Sequence, residues 1–151
     1  MSGHHILVIG SVRGNGIAEI VNASIEADVK AREMVFIGSV MSDHSLTLIR
    51  NSVLKANLNG KDICGIGSLG DGKAVVALDN VDMTAAVEGH KTVFIGNASE
   101  TAEIKITDSF FRGRVSCNEG GFISGNRDDM VDINNSFSLI YNGKDLSLDG
   151  Q

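Results

Sequence analysis

The chain has 151 residues, 42% of them hydrophobic, enough for one domain with a buried core. Eighteen glycines, no proline, no tryptophan, six phenylalanines and one tyrosine suit many tight bends around an aliphatic interior. Nineteen acidic against thirteen basic side chains give a net charge of −6 without any Lys/Arg run, which argues against nucleic acid and anionic membranes as partners.

The first apolar run, 6–9, is too short for a signal peptide, and no apolar stretch reaches membrane-spanning length. Its end, Ile9-Gly10-Ser11, opens a series. The tripeptide returns as Ile37-Gly38-Ser39, Ile66-Gly67-Ser68 and Ile95-Gly96-Asn97, with a looser fifth copy at Phe122-Ile123. Self-similarity at a fixed period near 29 residues is a signature of stacked repeats. A second landmark keeps the same period: Asn22, Asn51 and Asn80, then Asp108 and Asn134 or Asn135.

Before each landmark stands an alternating apolar pair: Ala18/Ile20, Thr47/Ile49, Val76/Leu78, Ile104/Ile106 and Val131/Ile133. After it comes another alternating run, such as Ile25-Ala27-Val29 or Leu54-Ala56-Leu58. Period-two alternation reads as half-buried strand. The expected fold is therefore all-β: a single-domain right-handed parallel β-helix over 1–151, of about five coils with three short strands each. The repeats fall near 6–34, 35–63, 64–92, 93–121 and 122–151. Turn-rich peptides at 13–16, 70–72 and 118–120 link the strands.

The inward columns are sorted by size. The first position after the landmark is large (Ile25, Leu54, Met83, Phe111) and the next small (Ala27, Ala56, Ala85, Gly113). Stacking coil on coil demands such matching, because a neighbour sits directly above and below. Asn22, Asn51, Asn80, Asp108 and Asn134 read as a structural ladder of side-chain hydrogen bonds along one bend. In the fifth repeat Phe137, Leu139 and Tyr141 enlarge the interior positions, as expected of a closing coil. The amino-terminal end shows no comparable cap, so a partner covers it or the chain is cut from a longer polypeptide.

Chemistry is sparse. Cys64 and Cys117 are too few for a disulfide framework, lack metal-ligand spacing, and read as free thiols of a reducing, cytoplasmic compartment. For a fragment of a larger protein the compartment stays open. The four histidines occupy unrelated repeat positions. Gly10, Gly14 and Gly16 could imitate a phosphate loop, but later repeats lack that spacing, so they read as turn glycines. No catalytic, metal or cofactor residues are assigned. One column exceeds scaffold: Val8, Phe36, Gly65, Phe94 and Phe122 each precede the repeated Ile. With Ile inward, alternation sets this column outside as a flat apolar interface stripe; with Ile outward, it is core.

The run Cys64-Gly65-Ile66-Gly67-Ser68, with 74–78, Asn80, Val81 and Ala85 after it, resembles bacterial repeat modules of the form "aGIGxG…gxIxIxgGxVxA". The resemblance implies a β-helical module for surface display, adhesion or glycan contact, sometimes appended to another domain. The chain departs from that form in having fewer glycines and Asn in place of a Gly-Gly bend.

The function expected from the sequence is a non-enzymatic structural or interaction module that self-associates or joins another protein domain. The alternative is carbohydrate binding or polysaccharide processing on an outer sheet face. Missing tryptophan and short loops count against a sugar cleft. Polysaccharide lyase or hydrolase chemistry is the least remote enzyme reading.

Overall fold

The fold comes from a computed structural model and describes residues 2–13, 15–41, 44–70, 72–126 and 130–146. The turn positions Gly14 and Asp71 lie outside the described residues. The strands are β1 (Ser2–Arg13), β2 (Gly16–Val21), β3 (Ser24–Met41), β4 (His44–Ser68) and β5 (Lys73–Asn97). They continue with β6 (Glu103–Thr107), β7 (Phe110–Ser116), β8 (Glu119–Ser124), β9 (Val131–Ile133), β10 (Ser136–Tyr141) and β11 (Lys144–Leu146). All join one continuous sheet, and every pairing except β10 with β11 is parallel. The molecule is a parallel β-solenoid.

Its registers define three faces. On the first, Ile9 pairs with Ile37, Ile37 with Ile66, Ile66 with Ile95, and Ile95 with Ile123. On the second, Ile20 leads to Ile49, Leu78 and Ile106. On the third, Ile25 leads to Leu54, Met83, Phe111 and Phe137. Longer strands such as β4 and β5 bend through two corners and contribute to all three faces.

Two local devices make the corners. Between the second and third faces, Asn22, Asn51, Asn80, Asp108 and Asn134 have φ of 54°, 49°, 53°, 50° and 56°. Asn and Asp tolerate this left-handed conformation better than other side chains, which explains the residue type at the bend. Within the first face, Gly38 and Gly67 have φ of 143° and 135°. A Cβ on Gly67 would lie 2.0 Å from the carbonyl oxygen of Gly96 in the next coil. Only glycine fits there.

The interior is one hydrophobic cluster running the length of the rod. Leu54, Met83 and Phe111 are buried in the large column, and Ala56 and Ala85 in the small one. Each large side chain contributes roughly 1.5–3 kcal/mol by burial. Towards the carboxyl end the interior becomes aromatic. Phe94 stacks on Phe122 at 4.9 Å between centroids, and Phe111 stacks on Phe137 at 5.2 Å. The antiparallel strand β11 then lies along β10, pairing Leu139 with Leu146.

The fifth coil departs from the expected alternation. Val131 aligns with Lys105 and Ile133 with Thr107, both in outward columns, while Asp132 follows Ile106. Ile133 is accordingly exposed. The left-handed residue here is Asn134, which shortens the strand before it by one position relative to the expected register. A one-residue slip sends every side chain of a strand to the opposite face.

Candidate functional site

The column Val8, Phe36, Gly65, Phe94 and Phe122 is interior, which removes it as a surface stripe. Phe36 and Phe94 are 0% exposed, Phe122 is buried, and all three belong to the hydrophobic core. Gly65 leaves space for a ring: a Cβ there would come within 2.9 Å of the Phe94 side chain. The neighbouring Ile37, Ile66 and Ile95 are core residues as well. Phe and Ile both point inward because the positive-φ glycine that follows bends the backbone, much as a bulge does, and breaks the alternation.

The asparagine column stands at the surface. Asn80 Nδ2 donates to Asn51 Oδ1 at 2.9 Å, and Asn134 Nδ2 donates to Asp108 Oδ1 at 3.2 Å. Around these links, Ser52 and Ser109 use their hydroxyls to cap turning backbone. Ser52 Oγ accepts from Ala23 N at 3.2 Å, and Ser109 Oγ accepts from Val81 N at 3.1 Å.

Cys64 lies in the column of Val35 and Val93 and is fully buried, so desolvation pushes its thiol up to about 12. Such a thiol is inert as a nucleophile. Cys117 contacts the Tyr141 hydroxyl at 3.2 Å, and the Tyr141 pKa is raised, first by burial and then by that hydrogen bond. Among the described residues no three of His, Cys, Asp and Glu gather closely enough to hold a metal ion. No described helix is long and apolar enough to cross a membrane.

The third face carries charge in order. Lys55 pairs with Glu26 at 3.2 Å, and Asn57 donates to Asp28 at 3.4 Å. Nearer the carboxyl end, Arg112 Nη2 donates to both oxygens of Asp82 at 2.7 and 2.8 Å and rests over the Phe110 ring. These exposed pairs are worth little individually. Beside them Arg114, Asn57, Asn59 and Ser116 edge a shallow depression of about 460 Å³.

No family model, no curated protein and no solved structure matches this chain. Its functional surfaces must be read from the geometry.

The most distinctive of these is the amino-terminal end of the rod. Columns that are sealed in later coils are half-open in the first. Val8 and Ile9 are partly exposed where Phe36 and Ile37 are buried, and Ile25 is partly exposed where Leu54 is buried. Among the described residues β1 pairs only with β3, and β2 only with β4, so each presents a strand edge. The side chains that line this end were not legible in the sequence, because they depend on the corner geometry.

A second feature escaped the sequence reading. On the second face the outward positions are apolar too: Ile17 is 71% exposed, and Leu46, Leu48, Val75 and Ala77 are partly so. The signal was available as runs with too few polar residues, 46–49 and 74–78, but alternation directed attention to the inward members.

Proposed function

We propose that this chain is a non-enzymatic structural module that assembles by pairing its first coil with the first coil of a second copy. The half-open apolar columns at Val8, Ile9 and Ile25 carry this reading. An exposed parallel edge with an apolar interior behind it is a template for further strand pairing, and soluble proteins usually blunt or cover such edges.

The two ends differ. The carboxyl end is filled with aromatic rings and, on the third face, covered by antiparallel β11. A head-to-tail filament would have to displace that strand. Amino end against amino end needs no such change. Two solenoids of the same hand, facing each other, wind in opposite senses across the junction, so their edge strands meet antiparallel. The contact is isologous and closes as a dimer. Resemblance to bacterial repeat modules supports the same scaffold role, with the rod attached to partner domains.

Ile25→Lys tests this reading. It places a charge in the half-open column, beside Leu54 of the second coil, and should abolish the end contact in light scattering, with circular dichroism checking that the fold is kept. An unaltered assembly state would overturn the reading.

A second reading, carbohydrate contact, draws on the third-face depression with Arg114, Asn57 and Asn59 along it. Its polar groups suit hydroxyl and carboxylate recognition. A glycan array, followed by binding of any hit to Arg114→Ala, tests it.

A further inference from the structure

We propose that the outward side of the second face is a lateral self-association surface, on which two rods lie antiparallel. The partner is a second copy of this chain. This extends the self-assembly reading to a different surface and is independent of the open coil end.

The three outward columns of the second face are ordered along the rod. The central one reads Glu19, Leu48, Ala77, Lys105, each paired with the next in register. It carries an acid in the first coil, a base in the fourth and apolar groups between, and it runs on to Val131 in the fifth. The column beside it reads Val21, Arg50, Asp79, Thr107. The third reads Ile17, Leu46, Val75, Glu103.

Consider a two-fold axis lying in the contact plane along the strands, midway between the second and third coils. It reverses the rod and keeps each column facing itself. Glu19 then meets Lys105 of the other copy, and Arg50 meets Asp79. Leu48 meets Ala77, a large side chain against a small one, and Leu46 meets Val75. Symmetry makes each of these contacts twice. Ile17 meets Glu103 and Val21 meets Thr107, two unmatched pairs that fall at the rim.

The charged members are available. Glu19, Lys105 and Arg50 are exposed, and none takes part in an ion pair among the described residues. Asp79 accepts one hydrogen bond, from the Thr107 hydroxyl at 2.8 Å, and keeps acceptor capacity. Shape agrees with charge: Leu46, Leu48, Val75 and Ala77, all partly exposed, sit together about the axis, and apolar groups so gathered mark contact surfaces. Two sheets can pack in this way about 10 Å apart.

Size sets the strength. Strands of six residues over four coils span about 20 Å by 15 Å, so the contact belongs to the small class of interfaces below about 1,200 Å² in total. The lateral dimer should be concentration-dependent and dissociate on dilution. Opposed charges at a rim also make it salt-sensitive.

Charge exchange tests the proposal by sedimentation velocity over a concentration series. Lys105→Glu sets two acidic groups against each other at both ends of the contact and should weaken lateral association at least tenfold. Glu19→Lys combined with Lys105→Glu restores complementarity and should recover most of the loss. Ile25→Lys removes the end contact and should leave a lateral dimer. If that variant fails to fold, the single and paired charge variants still report in the native background. A rod that forms no lateral species at any concentration, or association unchanged by Lys105→Glu, would overturn the proposal. An end contact that persists in Ile25→Lys would instead overturn only the end-pairing reading.

Discussion

Asn80 reaches across one coil to give its side-chain amide hydrogen to Asn51 at 2.9 Å, and both residues hold a left-handed backbone, φ 53° and 49°. The same residue type thus serves two needs at the bend, one conformational and one of hydrogen bonding between coils. Their relative weight decides what substitution there does.

Because Asn51 is exposed, the conformational need should dominate. Asn51→Ala is expected to cost about 1–2 kcal/mol, since alanine pays the full left-handed penalty and loses the bond. Asn51→Gly loses the bond but not the conformation and should cost less than half as much. Urea unfolding of the two variants measures the difference. Equal losses would mean that the ladder bond is the main contribution.

Gly67→Ala should be among the most damaging single changes in the chain. Its φ of 135° excludes a side chain, and the added methyl would collide with the Gly96 carbonyl of the next coil. A loss of about 3 kcal/mol or more is expected. Gly143→Ala is the control: φ is also positive, at 79°, but nothing lies within 4 Å of the added carbon. About 1 kcal/mol is expected there by thermal unfolding.

Cys64 should impose a pH limit. Its thiol ionises at 9.0 when unburied and is pushed up to about 12 in the fold. Between those values the unfolded chain releases a proton that the folded chain keeps. Stability therefore stays level below pH 9 and falls above it, by up to about 1.4 kcal/mol per pH unit for this one group. Tyr141, also raised, adds to the fall above pH 10. Cys64→Val, which continues the column of Val35 and Val93, should flatten the part between 9 and 10. Stability measured against pH in both proteins checks this, together with slow alkylation of Cys64 in the native state.

Much of this architecture was legible without coordinates because coil stacking constrains composition directly. A column such as Leu54, Met83 and Phe111 must keep its size, and a left-handed bend admits little besides Asn, Asp and Gly, so both recur visibly. The Phe36–Phe94 column was ambiguous for a physical reason. Alternation assigns adjacent residues to opposite faces, and only the φ of Gly38 and Gly96 reveals that the strand bends there and turns both Phe and Ile inward. Asp132 shows the same dependence on backbone detail, since placing the last bend at Asn134 decides which side chains of β9 face out. The second-face surface was illegible for another reason. Glu19 and Lys105 are far apart in the chain, and their relation appears only when register sets them three coils apart in one column.

If two copies meet through their open first coils, distances between labels on the two copies will show it. Spin labels would be placed singly at Ser24→Cys, in the first coil, and at Ser138→Cys, in the last, both exposed positions on the third face. Lys105→Glu would be present in both proteins to remove lateral contacts. Pulsed electron spin resonance should find the Ser138 labels about 40 Å apart or more, since four coil spacings of about 4.8 Å separate each from the junction. The Ser24 labels should lie closer together than that. Ser138 labels nearer to each other than the Ser24 labels, or no dipolar coupling at either site, would rule out pairing of the first coils.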